Sequence, residues 1–412
     1  MLKEVKPYAI EKYGEVSVAF IGVSTPYSIT SSTPKFFMDE NGNLVYDFCN
    51  ESGEAFYSCV QGYVDECRKA GADFVILLTH LGEGEAFAPF ASVDLIENTT
   101  GVDVVLDGHA HSTISSAIKQ NKEGRDVILS STGTKLSAIG QLVITKDGMI
   151  SSGLVSDYDV KNAEVDEFLT NIKATYEEEM NEVVASSDTK LACTDEAGIR
   201  MVRNRETAIG NFCADAYRAI SGADVAFVNG GGIRADLPSG DITYADVLAV
   251  HPYGNSLCMV EATGQEIVDA LEFGSRMVEA EYEDNGNAVG ETGAFLQVSG
   301  LRFTIDTSVE SGVVQDENGM FVSVDGDYRV TDVEILSADG SYSPIELDKT
   351  YTVASHNYMI KNCGDGYSMF SDNKLLIDEG MADYDMLISY IQDTLNGKLS
   401  AYADTEGRIT IK

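Results

Sequence analysis

Three short apolar runs, residues 16–23 (VSVAFIGV), 74–78 (FVILL) and 102–106 (VDVVL), each lead into a polar or glycine-containing loop. Their β-branched content and loop-bounded length predict strands. Between the first two, residues 57–70 place Val60, Val64 and Cys67 on one face at helical spacing. Strands alternating with helices imply α/β layers. After Gly153 the pattern changes: residues 163–184 form an acidic amphipathic helix, with Val165, Phe168, Ile172 and Tyr176 spaced for one buried stripe. From about Ser186 the alternation resumes, with a helix over 208–221, a strand over 225–228 and a β-rich stretch over 296–336, divided by glycine-marked turns. The acidic segment 279–287 (EAEYEDNGN) reads as a solvated loop.

A chain of 412 residues exceeds one ordinary core and predicts two domains. The pattern places the first over residues 1–158, a linker helix over 159–185 and the second over 186–412. Against 28 Lys and Arg stand 67 Asp and Glu, a formal charge of -39. Such a charge repels nucleic-acid polymers and anionic membranes, so a small anionic ligand needs a local cationic pocket. The 7 cysteines form no close CxxC pair, and they read as mostly buried thiols. No apolar run reaches membrane-spanning length, and charges interrupt the first 20 residues, so no export signal is read there.

Of only 5 histidines, three fall in two strand-end loops: His80 in LLTHLGEGE, and His109 with His111 in VVLDGHAHS. Ligand sites in α/β sheets lie beyond the carboxyl ends of strands. In Gly-His-x-His the glycine permits close backbone approach, and neutral imidazole ligates zinc, manganese or iron. A lone loop histidine is better read as a hydrogen-bonding residue; three on two strand ends favour a metal.

The run THLG, then DGHAH, then SSTGTKLSAIGQL resembles the second half of the calcineurin-like metallophosphoesterase domain of 5'-nucleotidases and UDP-sugar hydrolases. The resemblance implies two divalent ions that polarise the phosphoryl oxygens and generate hydroxide for in-line attack. It assigns His80 and His109 to one ion and His111 to the other. In that family the Asp-x-His, the bridging Asp and the Gly-Asn-His-Glu motif precede the strand matching residues 16–23, and only 15 residues precede it here. The expectation is therefore a metallophosphoesterase β-sandwich, flanked by helices, that lacks its N-terminal part, with the catalytic His-Asp pair outside the chain.

Four further motifs, RNRETAIGNFCADA, VNGGGIRADLPSGDITYADVLAVHPYGNSL, FLQVSGLRF and HNYMIKNCGDGYSMF, match in order the α/β C-terminal domain of the same family. Physically, NGGGIR offers a bare backbone ending in Arg234, and Arg203 and Arg205 add guanidinium groups in an acidic protein. Motif context favours Arg203 and Arg234 as ligand groups over Arg205. The resemblance places Gly231 and Gly232 against the ligand, sandwiches a base between Tyr253 and Tyr358, and hydrogen-bonds the nucleoside through Asn229 and Asp365. Between Tyr358 and Asp365 the loop is one residue longer than the common pattern, with Cys363 replacing a glycine. His251 and His356 match no family role and read as packing or hydrogen-bonding residues.

Together these imply a 5'-nucleotidase-type, metal-dependent hydrolase of nucleoside 5'-monophosphates, impaired in this chain and extracytoplasmic by resemblance. A non-catalytic nucleoside- or nucleotide-binding protein, and hydrolysis of UDP-sugars or 2',3'-cyclic nucleotides, stay open. Oligomeric state, base and metal are not legible.

Overall fold

The computed structural model describes residues 6–39, 44–46, 48–49, 52–279 and 290–412. The chain separates into two compact units, one of residues 1–28 with 44–162, the other of residues 29–43 with 163–412.

In the first unit, β1 (Tyr8–Tyr13) and β2 (Val16–Ser24) form an antiparallel hairpin; one helical turn, α1 (Ser28–Ser31), follows, of which residues 29–31 belong to the second unit. Helix α2 (Gly53–Lys69) starts where the Ser52 side chain accepts from the Ala55 amide, and it buries Phe56, Val60, Val64 and Cys67, the face its spacing predicted. Strand β3 (Phe74–His80), helix α3 (Ser92–Asn98), β4 (Val104–Asp107), β5 (Thr113–Gln120) and β6 (Asp126–Thr132) complete a six-stranded sheet of order β1-β2-β3-β4-β6-β5. Its four inner strands, β2, β3, β4 and β6, run parallel, which brings the ends of β3 and β4 to one edge.

Side chains alternate across this sheet. Ala19, Ile21, Val75, Leu77, Val105 and Leu129 pack with α2 and α3 on one face. Val18, Ile76, Val104 and Ile128 face the other way, against Leu142, Ile144 and Ile150 of the hairpin β7 (Ile139–Ile144) and β8 (Ile150–Val155). The expected sandwich is thus one broad sheet whose second layer is a two-stranded hairpin.

The second unit opens with α4 (Ala163–Met180), which stops short of the predicted end because β9 (Val183–Ser187) begins there. Its apolar stripe exists but is not buried: Val165, Phe168, Ile172 and Tyr176 are 53%, 63%, 42% and 53% exposed. Spacing sets which residues share a face, whereas burial needs a core to receive them, and α4 has no buried residue.

Next come α5 (Ala208–Ser221), β10 (Val225–Asn229), β11 (Gly240–Thr243), α6 (Tyr244–Val250), β12 (Leu257–Thr263) and α7 (Gly264–Ser275). Then follow β13 (Leu296–Ser299), β14 (Leu301–Ile305), β15 (Val313–Gln315), β16 (Phe321–Val324), β17 (Val330–Leu336), β18 (Tyr342–Pro344) and β19 (Thr350–His356). The chain closes with α8 (Asn357–Ile360), β20 (Leu375–Ile377), α9 (Asp383–Ser389) and β21 (Ile409–Ile411). A five-stranded sheet of order β13-β10-β19-β12-β20 carries a core on each face. Val225 and Phe227 look toward α7, with Ile267, Leu271 and Phe273. Ala226 and Val228 look toward α5, with Phe212 and Tyr217. Fully burying each large apolar side chain is worth about 1.5–3 kcal/mol before entropy is charged against it. Strands β10 and β19 are parallel neighbours, so Asn229 and His356 end at one edge. Of the acidic segment 279–287 only Glu279 lies within the described residues. Cys67, Cys193, Cys213 and Cys258 are buried, while Cys49, Cys59 and Cys363 are half-buried.

Candidate functional site

In the first unit the ends of β3 and β4 bring two of the three predicted histidines together. The rings of His80 and His109 lie 5.0 Å apart, centroid to centroid, at 63°. The glycine of the motif makes that approach possible: a Cβ at Gly108 would stand 3.2 Å from His80 Nδ1. Phe87 packs against His109 at 5.0 Å, and Phe87 itself occupies the space a side chain at Gly82 would need. His109 and His111 both hold the left-handed backbone, at φ 78° and 62°. Such conformations are costly for residues other than glycine and cluster at functional sites.

Asp107, two residues before His109, accepts from Thr79 Oγ1 at 2.6 Å and from the Leu81 amide at 3.0 Å through one oxygen. Its other oxygen, Oδ2, is buried without a hydrogen-bond partner. A buried carboxylate oxygen without a partner, two residues from His109, is a group that a cation would satisfy. Among the described residues no group of three or more His, Cys, Asp or Glu side chains is already arranged around a common point. His80 and His109 thus stand as two neighbouring imidazoles, with His111 close by in sequence.

The second unit gathers its predicted residues around one carboxylate. Asp365 stands in a tight turn with Cys363, at φ 55° and 56°. Cys363 replaces the expected glycine at a left-handed position, which explains why glycine is the commoner choice there. Asn229 Nδ2 donates to Asp365 Oδ2 at 2.6 Å, and the Tyr358 hydroxyl lies 3.0 Å from Oδ1. Burial pushes the Asp365 carboxyl up, while the bonds from Asn229 and Tyr358 and the charges of Arg203 and Arg276 pull it down. Arg203 is itself lowered to about 10, mainly by burial and then by the nearby Arg200 and Arg234. It stays cationic at neutral pH, so the acidic molecule does contain a local positive cluster.

The glycines of NGGGIR have a more specific reason than open access. A Cβ at Gly230 would meet the Val202 carbonyl at 2.1 Å, at Gly231 the Gly293 backbone at 3.1 Å, and at Gly232 the Asn229 side chain at 2.8 Å. Protein packs on this turn before any ligand can. Arg234 reaches the Gly231 carbonyl at 3.5 Å and holds its guanidinium 5.9 Å from the Tyr253 ring centroid. Tyr253 is 61% exposed and offers an open face. Tyr358 is more enclosed: a Cβ on Gly364 would lie 2.4 Å from its ring, so the Gly364 backbone covers one side.

Arg205 donates to Asn204 Oδ1 at 3.1 Å. His251 and His356 are buried hydrogen-bonding residues as read from sequence: His251 Nδ1 lies 3.1 Å from the Gly232 carbonyl, and His356 Nε2 lies 2.9 Å from Asn229 Oδ1. Burial lowers them to about 4 and about 3, so both are neutral. Sequence reading missed Arg276, which follows α7, donates to the Phe273 carbonyl at 2.7 Å and lies over the Phe273 ring. It also missed Phe87 behind His109 and Gly293 against Gly231. No local motif marks these residues; only the fold brings them to the site.

Residues 183–372, which hold this pocket, match the family model for the 5'-nucleotidase C-terminal domain. These residues belong to the 5'-nucleotidase C-terminal domain family, and the chain as a whole is similar to 5'-nucleotidases. The 5'-nucleotidase precursor of Thermus thermophilus is 27% identical and superposes with a TM-score of 0.74 over 98% of this chain and 74% of that one. The trifunctional nucleotide phosphoesterase protein YfkN of Bacillus subtilis is 30% identical over 98% of this chain, which spans 25% of that protein. The 5'-nucleotidase of Bos taurus is 25% identical over 98% of this chain and 67% of its own length. The relatives named as 5'-nucleotidases are hydrolases, and the Thermus thermophilus structure shares the mixed α/β architecture of this chain. Among its described residues no helix is long and apolar enough to cross a membrane.

Proposed function

We propose that the chain acts as a metal-dependent phosphoesterase on nucleoside 5'-monophosphates, the second unit holding the nucleoside and the first supplying the metal ligands. The observation that carries this reading is the half-buried Asp365, bonded by Asn229 and Tyr358 within a cluster of arginines. A carboxylate presented in a cationic pocket suits a ligand with hydroxyls at one end and an anionic group at the other. Asp365 and Asn229 would take the sugar, Tyr253 and Tyr358 the base, and Arg203 and Arg234 an anionic group. Gly231 and Gly232 hold the turn on which Asn229 and Arg234 are set.

His80 and His109 would ligate one divalent ion and His111 a second, with Asp107 orienting the loop. When bound, such ions supply a Lewis acid for the phosphoryl oxygens and a nucleophilic hydroxide. The chain's own contribution there is to hold imidazoles at fixed positions, His109 beside both His80 and Phe87. The family's export fits an extracytoplasmic location.

A second reading, nucleoside binding without hydrolysis, draws support from the two-histidine cluster, which among the described residues gathers no third ligand. Metal content and phosphate release separate the two. Wild type dialysed against zinc or manganese should retain metal and release phosphate from AMP, and His109→Ala should lose both. Adenosine binding with no metal retained would leave the second reading standing. UDP-glucose and a 2',3'-cyclic nucleotide assayed beside AMP would set the substrate class.

A further inference from the structure

A line of four side chains runs through the floor of the second unit's pocket, and its hydrogen positions can be deduced from one end. The Met359 amide donates to His356 Nδ1 at 3.3 Å, because a backbone N–H can only donate. His356 is 1% exposed and neutral, so its one ring proton sits on Nε2 and is donated to Asn229 Oδ1 at 2.9 Å. That bond fixes the Asn229 amide, which an isolated side chain could present either way round. With Oδ1 committed to His356, Nδ2 must face Asp365 Oδ2, at 2.6 Å. Asn229 is itself 3% exposed, so this half of the line has no water to exchange with.

The other carboxylate oxygen is held differently. The Tyr358 hydroxyl lies 3.0 Å from Asp365 Oδ1 and 2.9 Å from the Thr30 carbonyl, while the Asp365 amide donates to the hydroxyl oxygen at 3.0 Å. A hydroxyl has one proton and here has two acceptors. It can surrender Asp365 and keep Thr30 without being stranded, whereas Asn229 has no such second choice. One oxygen of Asp365 is therefore locked and the other is exchangeable.

Resting on the nucleoside reading above, we infer that His356 is a positioning residue that acts through Asn229 to aim Asp365, and that the Tyr358 hydroxyl is the group a sugar hydroxyl displaces from Oδ1. The device offers the sugar one oxygen, Oδ1, and so selects a nucleoside whose hydroxyl reaches it, hence ribonucleosides over 2'-deoxyribonucleosides. A locked carboxylate discriminates because an analogue without the hydroxyl that reaches Oδ1 forgoes a hydrogen bond to a charged group. Position also matters: His356 ends β19 beside the end of β10, so the parallel pairing of the two strands sets the distance between His356 and Asn229.

The test is calorimetry of adenosine and 2'-deoxyadenosine with metal-free protein, comparing wild type with His356→Leu, His356→Gln and Tyr358→Phe. Wild type should prefer adenosine by on the order of tenfold or more, the worth of one hydrogen bond to a charged group. In His356→Leu that ratio should fall toward one, and His356→Gln, which keeps a donor, should restore part of it. Tyr358→Phe retains the ring and removes the competitor, so adenosine should bind more tightly. Equal weakening toward both nucleosides in His356→Leu, with the ratio kept, would show a merely structural histidine and overturn the inference. No binding of either nucleoside by wild type would instead sink the nucleoside reading itself. Two-bond proton–nitrogen spectra of His356 need no ligand: a protonated Nε2 with a bare Nδ1 supports the line, and the opposite tautomer refutes it.

Discussion

Asp365 shows how one residue can be both expensive and useful. Its burial is offset by an amide, a phenol and two arginines, and the same groups leave it in reach of a sugar. Removing a stacking ring from this pocket should be felt directly: Tyr358→Ala should weaken nucleoside binding by roughly 1–3 kcal/mol, measured by calorimetry. Gly230 tests the packing account of the glycine run. A methyl there would overlap the Val202 carbonyl at 2.1 Å, so Gly230→Ala should cost about 1–3 kcal/mol in a denaturant titration. A neutral result would mean that the turn is free to move. The buried histidines give a pH signature. His251 falls from an ordinary 6.5 to about 4 because burial disfavours its charge, so unfolded chains bind more protons than folded ones between those values. Its contribution is present above about pH 6.5 and is lost as pH falls through about 4. His251→Gln should therefore lose less melting temperature than wild type between neutral and mildly acid pH.

At the scale of elements, strand-end histidines and a helix with one apolar face were legible because both depend on short-range rules. Val60, Val64 and Cys67 are buried as their spacing predicts, and α5 has the bounds its pattern implies. Helix α4 shows the limit: periodicity marked a stripe, yet nothing in a sequence window says whether a core lies opposite it, and Phe168 is 63% exposed. Arg276 and Gly293 escaped for the related reason that long-range contacts create their roles. So did the Tyr358 hydroxyl, since sequence shows a ring but not where its oxygen points. Support behind the histidines can be tested at element level. Gly82→Ala would drive a methyl to within 2.5 Å of the Phe87 ring, displacing the ring beside His109. Metal retained per chain should fall in that variant while the far-UV spectrum stays unchanged. Helix α7 begins with a reciprocal capping box between Thr263 and Glu266, and Thr263→Ala should cost about 1 kcal/mol.

Across the whole molecule, charge frames how substrate arrives. A formal charge of -39 repels a nucleotide until it reaches the arginine cluster. Salt screens that repulsion, so association with AMP should speed up as ionic strength rises, while neutral adenosine should respond little. The same rate for AMP at low and high salt would show that the pocket's local field dominates. Capture and chemistry are assigned to separate compact units, and that division is the central claim. The measurement that tests it most directly is steady-state phosphate release from AMP, with metal content and adenosine affinity, for wild type, His109→Ala and Asp365→Ala. The account predicts that His109→Ala loses metal and turnover with adenosine affinity unchanged, and that Asp365→Ala loses adenosine affinity with metal content unchanged. Undiminished release by His109→Ala, or unaltered adenosine affinity in Asp365→Ala, would contradict it.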